Sequence, residues 1–156
     1  MELSTKGRYA VMAMADLARH GEGLEAVPLS AIAERQGISL SYLEQLFLRL
    51  RRAGLVDSAR GRAGGYRLGR PATEIVILDI MHAVDEEVRM TRCHEEQAGP
   101  CVAGQRCLTH GLWDALGERI AAFLSGVTLE EVVRGRLARP ERRHADALFS
   151  GGVAQS

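Results

Sequence analysis

Residues 36–47 read QGISLSYLEQLF, and this stretch decides the fold. A short helix is predicted to end at Gly37, and a longer helix to begin near residues 39–41 and run to about Ala53. The small residue Ala33 lies four positions before the glycine. A small side chain and a glycine turn let two helices cross closely, so the stretch predicts a helix-turn-helix.

The longer helix has two chemically different faces. Its apolar residues recur at i, i+3, i+4 and i+7 and are expected in the core: Leu43, Leu46, Phe47 and Leu50. Small, polar or basic residues are expected to face outward: Ser41, Glu44, Gln45, Arg49 and Arg52. Such an outward face suits a helix that enters the major groove of DNA.

Two short strands joined by a glycine-rich loop are predicted after this helix. The strands cover residues 55–60 and 66–68, and the loop between them reads GRAGG. Glycines permit the positive backbone angles of a hairpin loop, so the hairpin is predicted to form a wing. Arg60, beside the loop, either enters a minor groove, which favours inserted arginines, or is merely solvated.

Basic residues are concentrated in this same region. Between residues 49 and 70 there are seven arginines, opposed by Asp57 alone: Arg49, Arg51, Arg52, Arg60, Arg62, Arg67 and Arg70. The whole chain has 20 basic and 20 acidic residues, so its net charge gives no evidence for or against nucleic acid. The local cluster either presents a positive surface to phosphates or forms an ordinary solvated face.

Helices are also predicted outside this region. A first helix covers about residues 5–20, a fourth covers residues 75–84, and a fifth covers about residues 108–126. The low aromatic content, 4%, favours helices packed through aliphatic side chains over a β-sandwich. The expected fold class is mainly α with a small β-wing, a winged helix-turn-helix DNA-binding domain plus a long dimerisation helix.

Four segments are expected along the 156 residues. They are a DNA-binding domain (1–84), a loop with potential metal ligands (85–107), the dimerisation helix with an end helix (108–137), and a flexible polar tail (138–156). A helix that follows a complete winged-helix unit either folds back on its own domain or packs against its copy. We expect dimerisation, because helix-turn-helix proteins usually pair to match two half-sites.

The sequence also indicates a cellular location. The chain opens without the apolar core of a signal peptide, and no run approaches the roughly 18 apolar residues that span a bilayer. We therefore expect a cytoplasmic protein with no membrane partner. In that reducing compartment three cysteines do not form a set of structural disulfides, and their clustering indicates metal or redox chemistry.

The cysteines stand close together with a histidine. Seven residues separate Cys93 from Cys101, five separate Cys101 from Cys107, and two separate Cys107 from His110. Thiolates are soft ligands that suit iron-sulfur clusters and zinc, and imidazole completes the set on either metal. The spacing leaves a cluster, zinc and unrelated free thiols open. His94 is either an alternative ligand or a solvated loop residue.

Ser41 and Glu44 allow two interpretations. The pattern Ser-x-x-Glu is a capping box, which is purely structural. The same position would let Glu44 accept a hydrogen bond from a cytosine amine, with Gln45 reaching an adenine edge. Both roles stay open from the sequence.

Several stretches match a known family. They are LSTKGRYA (3–10), QGISLSYLEQLF (36–47), RG (60–61), GGY (64–66), AVDE (83–86), TRC (91–93) and CLTHGLW (107–113). Together they resemble the IscR-like iron-sulfur cluster regulators, which belong to the Rrf-two/BadM-type family of winged-helix transcription regulators. The resemblance covers nearly everything before about Leu137.

The resemblance implies a homodimer with one 2Fe-2S cluster per subunit, held by Cys93, Cys101, Cys107 and His110. It implies a regulator, mainly a repressor but also an activator, of iron-sulfur cluster assembly genes, whose promoter choice depends on the cluster. The candidate DNA-contacting residues are Ser39, Ser41, Tyr42, Glu44, Gln45, Arg49, Arg60 and Gly64. The loop between the first two cysteines is two residues longer than in the family, which alters the surroundings of the cluster but removes no ligand.

The expected partners are double-stranded DNA at promoter operators, a second copy of the chain, and a cluster donor from the iron-sulfur assembly machinery. One alternative is a winged-helix regulator whose Cys/His loop binds zinc or acts as a thiol or nitric oxide sensor. Another is an iron-sulfur electron-transfer protein. An enzyme is not expected, because no nucleophile-base pair or phosphate loop is visible.

Overall fold

The computed structural model describes residues 4–22, 26–61, 64–88, 90 and 105–137. The elements in chain order are α1 (Thr5–His20), α2 (Leu29–Gln36), α3 (Leu40–Arg52), β1 (Val56–Ala59), β2 (Gly65–Leu68), α4 (Ile77–Ala83), α5 (His110–Ser125) and α6 (Leu129–Arg134). The mainly helical fold class with a small two-stranded wing is therefore confirmed. Within the described ranges, no helix is long and apolar enough to cross a membrane.

The turn between α2 and α3 depends on Gly37. This residue has a φ of 63°, a left-handed conformation that residues with a Cβ rarely adopt. Its N–H and that of Ile38 both donate to the carbonyl oxygen of Ala33. The next helix begins at once, because Ser39 is extended and its hydroxyl accepts from the backbone N–H of Tyr42 at 3.3 Å.

The capping box considered for Ser41 and Glu44 is wrong. Ser39 occupies the N-cap position, and Ser41 lies inside the first turn of α3 with an exposed side chain. A cap requires a residue whose backbone is still extended, whereas the backbone at Ser41 is already helical. Glu44 does not hold the helix end and is exposed to solvent.

The inner face of α3 lies at the centre of the core. Leu43, Leu46, Phe47 and Leu50 are each at most 2% exposed, as their spacing predicted. The ring of Phe47 makes an edge-to-face contact with Tyr66 of β2, with ring centres 4.9 Å apart. Phe47 therefore packs the helix-turn-helix against the wing.

The wing is tied to the segment that precedes α2. Strands β1 and β2 pair antiparallel. The N–H of Tyr66 donates to the carbonyl oxygen of Val27 at 2.8 Å, and the N–H of Val27 donates to that of Tyr66 at 2.9 Å. Gly65 permits this approach, because a Cβ there would lie 2.4 Å from the carbonyl carbon and oxygen of Val27. The wing and the helix-turn-helix are thus joined through backbone.

After α5 the chain returns to the core formed by the earlier helices. The N–H of Leu129 donates to the carbonyl oxygen of Ile75 at 2.8 Å, and the N–H of Ile77 donates to that of Val127 at 2.9 Å. Leu129 is fully buried and belongs to the same core as α3. The end helix α6 consequently packs against α1.

One buried charge connects α1 to α2. Asp16 is 3% exposed, and its carboxylate accepts hydrogen bonds from Arg35 at 2.6 Å and from Gln36 at 2.7 Å. Burial alone raises the pKa of Asp16. The hydrogen bonds from Arg35 and Gln36 and the charge of Arg35 outweigh that effect, so the pKa of Asp16 lies below its ordinary value. The network fixes α2 directly before its glycine turn.

We expect Asp16→Asn to lower the free energy of unfolding by about 2 kcal/mol at neutral pH, because Arg35 loses its charged partner. Since the folded pKa lies below the ordinary value of 3.8, this stabilisation is present above that pH and is lost as the pH falls through the folded pKa. The difference in the free energy of unfolding between wild type and variant should therefore become smaller in acid. Urea unfolding across a pH series measures it, and a difference that stays constant into strong acid would contradict the assignment.

Candidate functional site

The outward face of α3 is open to solvent. The residues predicted to lie on it are all exposed: Ser41, Glu44, Gln45, Arg49 and Arg52. Leu48, which the sequence reasoning missed, is also 48% exposed. The available signal was that this leucine falls outside the core series of the helix. The face thus combines polar and charged groups with one apolar side chain, and such groups contact base edges and thymine methyl groups.

Two candidate DNA-contacting residues also hold the start of α3 in place. The Ser39 hydroxyl caps the helix. Tyr42 is half-buried, and its ring makes an edge-to-face contact with Tyr9 of α1, with ring centres 6.0 Å apart. Both residues therefore fix the end of α3 that carries Ser41 and Glu44.

Arg49, in the second half of α3, forms an ion pair with Asp85. Both side chains are accessible, with 44% of Arg49 and 77% of Asp85 exposed. The sequence reasoning missed Asp85, because the two residues are 36 positions apart and no local pattern links them. The outward face of α3 is therefore in direct contact with the segment that follows α4.

The wing exposes Arg60 at the end of β1. The following Gly61 has a φ of 127°, which favours glycine, as expected for a hairpin loop. Gly64 lies just before β2 and is half-buried. Arg62, part of the predicted basic cluster, lies outside the described residues.

Cys107 and His110 are linked by a backbone hydrogen bond at the N-terminus of α5. The backbone N–H of His110 donates to the carbonyl oxygen of Cys107 at 3.1 Å, so the two residues are one turn apart. The sulfur of Cys107 lies 3.6 Å from the Thr109 hydroxyl, which accepts a hydrogen bond from the Trp113 indole at 3.3 Å. These contacts give the turn a defined conformation.

His110 is held by charged neighbours. Its Nε2 lies 2.9 Å from a carboxylate oxygen of Asp114, and it also contacts the guanidinium group of Arg106. The side chain of His110 is 11% exposed. A carboxylate partner on one ring nitrogen is the usual means of orienting a histidine that binds a metal.

The rest of the predicted ligand set, Cys93 and Cys101, lies outside the described residues, as does the alternative ligand His94. Among the residues that the structure describes, no three potential metal ligands come together. The structure thus places Cys107 one backbone turn before His110, and these two donors suit both an iron-sulfur cluster and zinc.

Helix α5 presents an apolar face to solvent. It packs against α4 on one side. On the other side Leu112 is 60% exposed and Phe123 is 51% exposed, and Leu108 is fully exposed just before the helix. Large apolar side chains exposed along one helix are typical of an interaction surface.

A helix-turn-helix with a polar and basic outer face, followed by a β-hairpin wing, defines a winged-helix DNA-binding protein. The model of the Rrf2 family, described as an iron-dependent transcriptional regulator, matches residues 3–135. The chain therefore belongs to the Rrf2 family, and it is a transcription regulator and not an enzyme.

Individual relatives agree with this assignment. The chain is 57% identical to the HTH-type transcriptional regulator IscR of Photorhabdus laumondii over 137 residues, covering 87% of this chain and 81% of the relative. It is 50% identical to the protein of the same name from Vibrio atlanticus over 156 residues, covering 99% and 88%. The resemblance to IscR-like regulators is therefore confirmed.

Solved structures share the fold. IscR of T. potens superposes with a TM-score of 0.69 at 36% identity, covering 90% of this chain and 94% of that one. CymR, described as the global cysteine regulator of B. subtilis, superposes with a TM-score of 0.72 at 32% identity, covering 86% and 98%. Both solved structures thus share the fold of this chain.

Proposed function

We propose that this regulator controls iron-sulfur cluster assembly genes and that a 2Fe-2S cluster, one per subunit, selects the promoters it binds. The observation that supports this most directly is the backbone turn at the base of α5, which joins Cys107 to His110. Cys93 and Cys101 complete the proposed ligand set. When bound, the cluster supplies a redox-sensitive connection between the loop of residues 85–107 and the start of α5.

Cys107 and His110 are donors of the kind that bind an iron-sulfur cluster. Cys107 offers a soft sulfur ligand, and Asp114 orients the ring of His110. Zinc is the alternative cofactor, because three cysteines and a histidine also form an accepted zinc set. The remaining alternative is that the same cysteines sense thiols or nitric oxide directly, without a metal.

In this proposal α3 enters the major groove of promoter operators. Ser41, Glu44 and Gln45 contact base edges, and Glu44 accepts hydrogen bonds from cytosine amines while it is repelled by guanine acceptors. Arg60 enters the minor groove beside the wing. Phosphate contacts and positioning come from the remaining candidates, Ser39, Tyr42, Arg49 and Gly64. The protein would work in the cytoplasm, where the assembly machinery donates the cluster.

We also propose a homodimer formed through α5. Leu112→Glu combined with Phe123→Glu should give a monomer, because burying two unpaired carboxylates at an apolar interface is costly. Sedimentation velocity measures the mass, and circular dichroism verifies that the helices persist. Glu118→Ala, which changes an exposed polar residue of the same helix, is the matched control and should leave the dimer intact. A wild-type chain that sediments as a monomer would remove this part of the proposal.

The metal content tests the cofactor. Protein purified without oxygen should contain about two iron and two sulfide ions per chain. Cys107→Ala and His110→Ala should each lower that content and change the visible absorption spectrum, whereas His82→Ala, at the exposed end of α4, should not. Zinc without sulfide would support the structural-zinc alternative, and a metal-free chain would support direct thiol sensing.

A further inference from the structure

Asp85 lies where three elements meet. It follows α4 with a φ of 53°, a left-handed conformation that few residues other than glycine adopt, although aspartate and asparagine tolerate it. Its N–H donates to the carbonyl oxygen of His82 at 3.0 Å. Its own carbonyl oxygen accepts from Nζ of Lys6 at 2.8 Å. The backbone of Asp85 is therefore held by both α4 and α1.

Glu86 fixes the same junction from its other side. Its carboxylate accepts a hydrogen bond from the Ser4 hydroxyl at 2.6 Å, and its N–H donates to the carbonyl oxygen of Met81 at 2.9 Å. The side chain lies close against Gly7, where a Cβ would be 2.9 Å from Cγ of Glu86. The neighbouring Asp85 is consequently held in a defined position beside α3.

The carboxylate of Asp85 pairs with Arg49 on α3. Both groups are well exposed, and ion pairs in such surroundings contribute little to stability because water screens them. Stability therefore does not explain why an aspartate, in an uncommon backbone conformation, is anchored at this arginine. Arg49 can also exchange the Asp85 carboxylate for another anion at little cost in free energy.

Phosphate is such an anion. A guanidinium group binds carboxylate and phosphate oxygens with the same geometry, and Arg49 lies beside Gln45 and Arg52 on the outward face of α3. Contacts to phosphate give affinity for any DNA sequence, whereas contacts to base edges give specificity. An acidic group that neutralises Arg49 therefore reduces the affinity for any DNA sequence. It does not change the specificity that contacts to base edges give.

We propose that Asp85 is an intramolecular competitor of DNA phosphate for Arg49. The inference rests on the proposed function in one respect, which is that α3 faces DNA with Arg49 among its contacts. In the free protein Asp85 neutralises the guanidinium group, and on DNA binding Arg49 exchanges the carboxylate for a phosphate. Asp85 thereby lowers affinity for all sequences alike and increases the relative weight of base contacts.

Asp85→Asn tests the proposal, because asparagine keeps the left-handed backbone and removes only the charge. Binding of the full chain to a labelled mixed-sequence duplex is followed by fluorescence anisotropy at several salt concentrations. We expect the variant to bind about fivefold more tightly at low salt and the slope of log affinity against log salt to steepen by about one. Glu130→Gln removes an equal charge from an ion pair on α6 and should change neither quantity.

A double-mutant cycle with Arg49→Ala separates competition from general repulsion. The gain from Asp85→Asn should disappear when Arg49 is absent. An equal gain in both backgrounds, or no gain in the wild-type background, would overturn the proposal. If Arg49→Ala itself leaves DNA affinity unchanged, the proposed DNA contact of Arg49 fails, and the competitor proposal fails with it. If Arg49→Ala weakens binding while Asp85→Asn has no effect, only the competitor proposal fails.

Discussion

Phe47→Ala is expected to lower the free energy of unfolding by about 3–5 kcal/mol. The ring is fully buried and lies against Tyr66, so its removal opens a cavity between α3 and the wing. A domain of this size has only about 5–15 kcal/mol of stability in total, so a large part of it would be lost. Urea unfolding followed by circular dichroism measures the change.

Leu48→Ala is the matched control for this prediction. Leu48 is the next residue of the same helix but is 48% exposed, so its truncation should cost less than about 1 kcal/mol. Equal losses for the two variants would show that the core is not where the structure places it. A difference of several kcal/mol between neighbouring apolar residues would verify the orientation of α3.

Gly65→Ala should destabilise the protein by about 2–3 kcal/mol and displace the wing. A methyl group there would meet the carbonyl carbon and oxygen of Val27 at 2.4 Å, and backbone atoms cannot rotate away as a side chain does. The paired hydrogen bonds between Val27 and Tyr66 must then break. Thermal unfolding measures the stability, and reduced protection of the Tyr66 amide in hydrogen exchange reports the broken bridge.

Gly111→Ala provides the comparison for that variant. Nothing lies within 4 Å of a Cβ at Gly111, and the residue is inside the first turn of α5. Because alanine is the better helix former, this change should leave stability unaltered or raise it by up to about 1 kcal/mol. If Gly65→Ala were as harmless as Gly111→Ala, the close approach of the wing to Val27 would be refuted.

The features that the sequence predicted well are those determined by neighbouring residues. The spacing of Leu43, Leu46, Phe47 and Leu50 is local, so the buried face of α3 could be assigned from that spacing alone. The turn at Gly37 follows from the conformational freedom of one residue. Likewise the spacing of Cys107 and His110 is that of one helical turn.

The features that sequence reasoning missed depend on distant parts of the chain. The fourth helix was expected over residues 75–84 but covers Ile77–Ala83, because Val76 forms a bridge with Thr128 and stays extended. The pairing of Arg49 with Asp85 and the return of α6 to α1 are likewise products of tertiary packing. No periodicity within either segment could indicate them.

At the proposed metal site, too, sequence reasoning found some of the residues and missed others. Sequence spacing identified the thiols and the histidine as a group, but the sequence reasoning missed Asp114, which contacts the ring of His110. Asp114 lies four residues after His110, and the helix predicted over about residues 108–126 contains both, so this i,i+4 spacing was the available signal. The positions of Cys93 and Cys101 depend on the loop and stay a prediction.

The backbone bridge between Val27 and Tyr66 ties the wing to the segment before α2, and the contact of Phe47 with Tyr66 ties it to α3, so the wing and α3 have a defined spacing. In the proposed function, a duplex that contacts both α3 and the wing must present its major and minor grooves at this spacing. DNA with a different local twist or groove width would have to deform, and the energy of deformation depends on base sequence even where no side chain reaches a base. The molecule would then select operators partly by their stiffness.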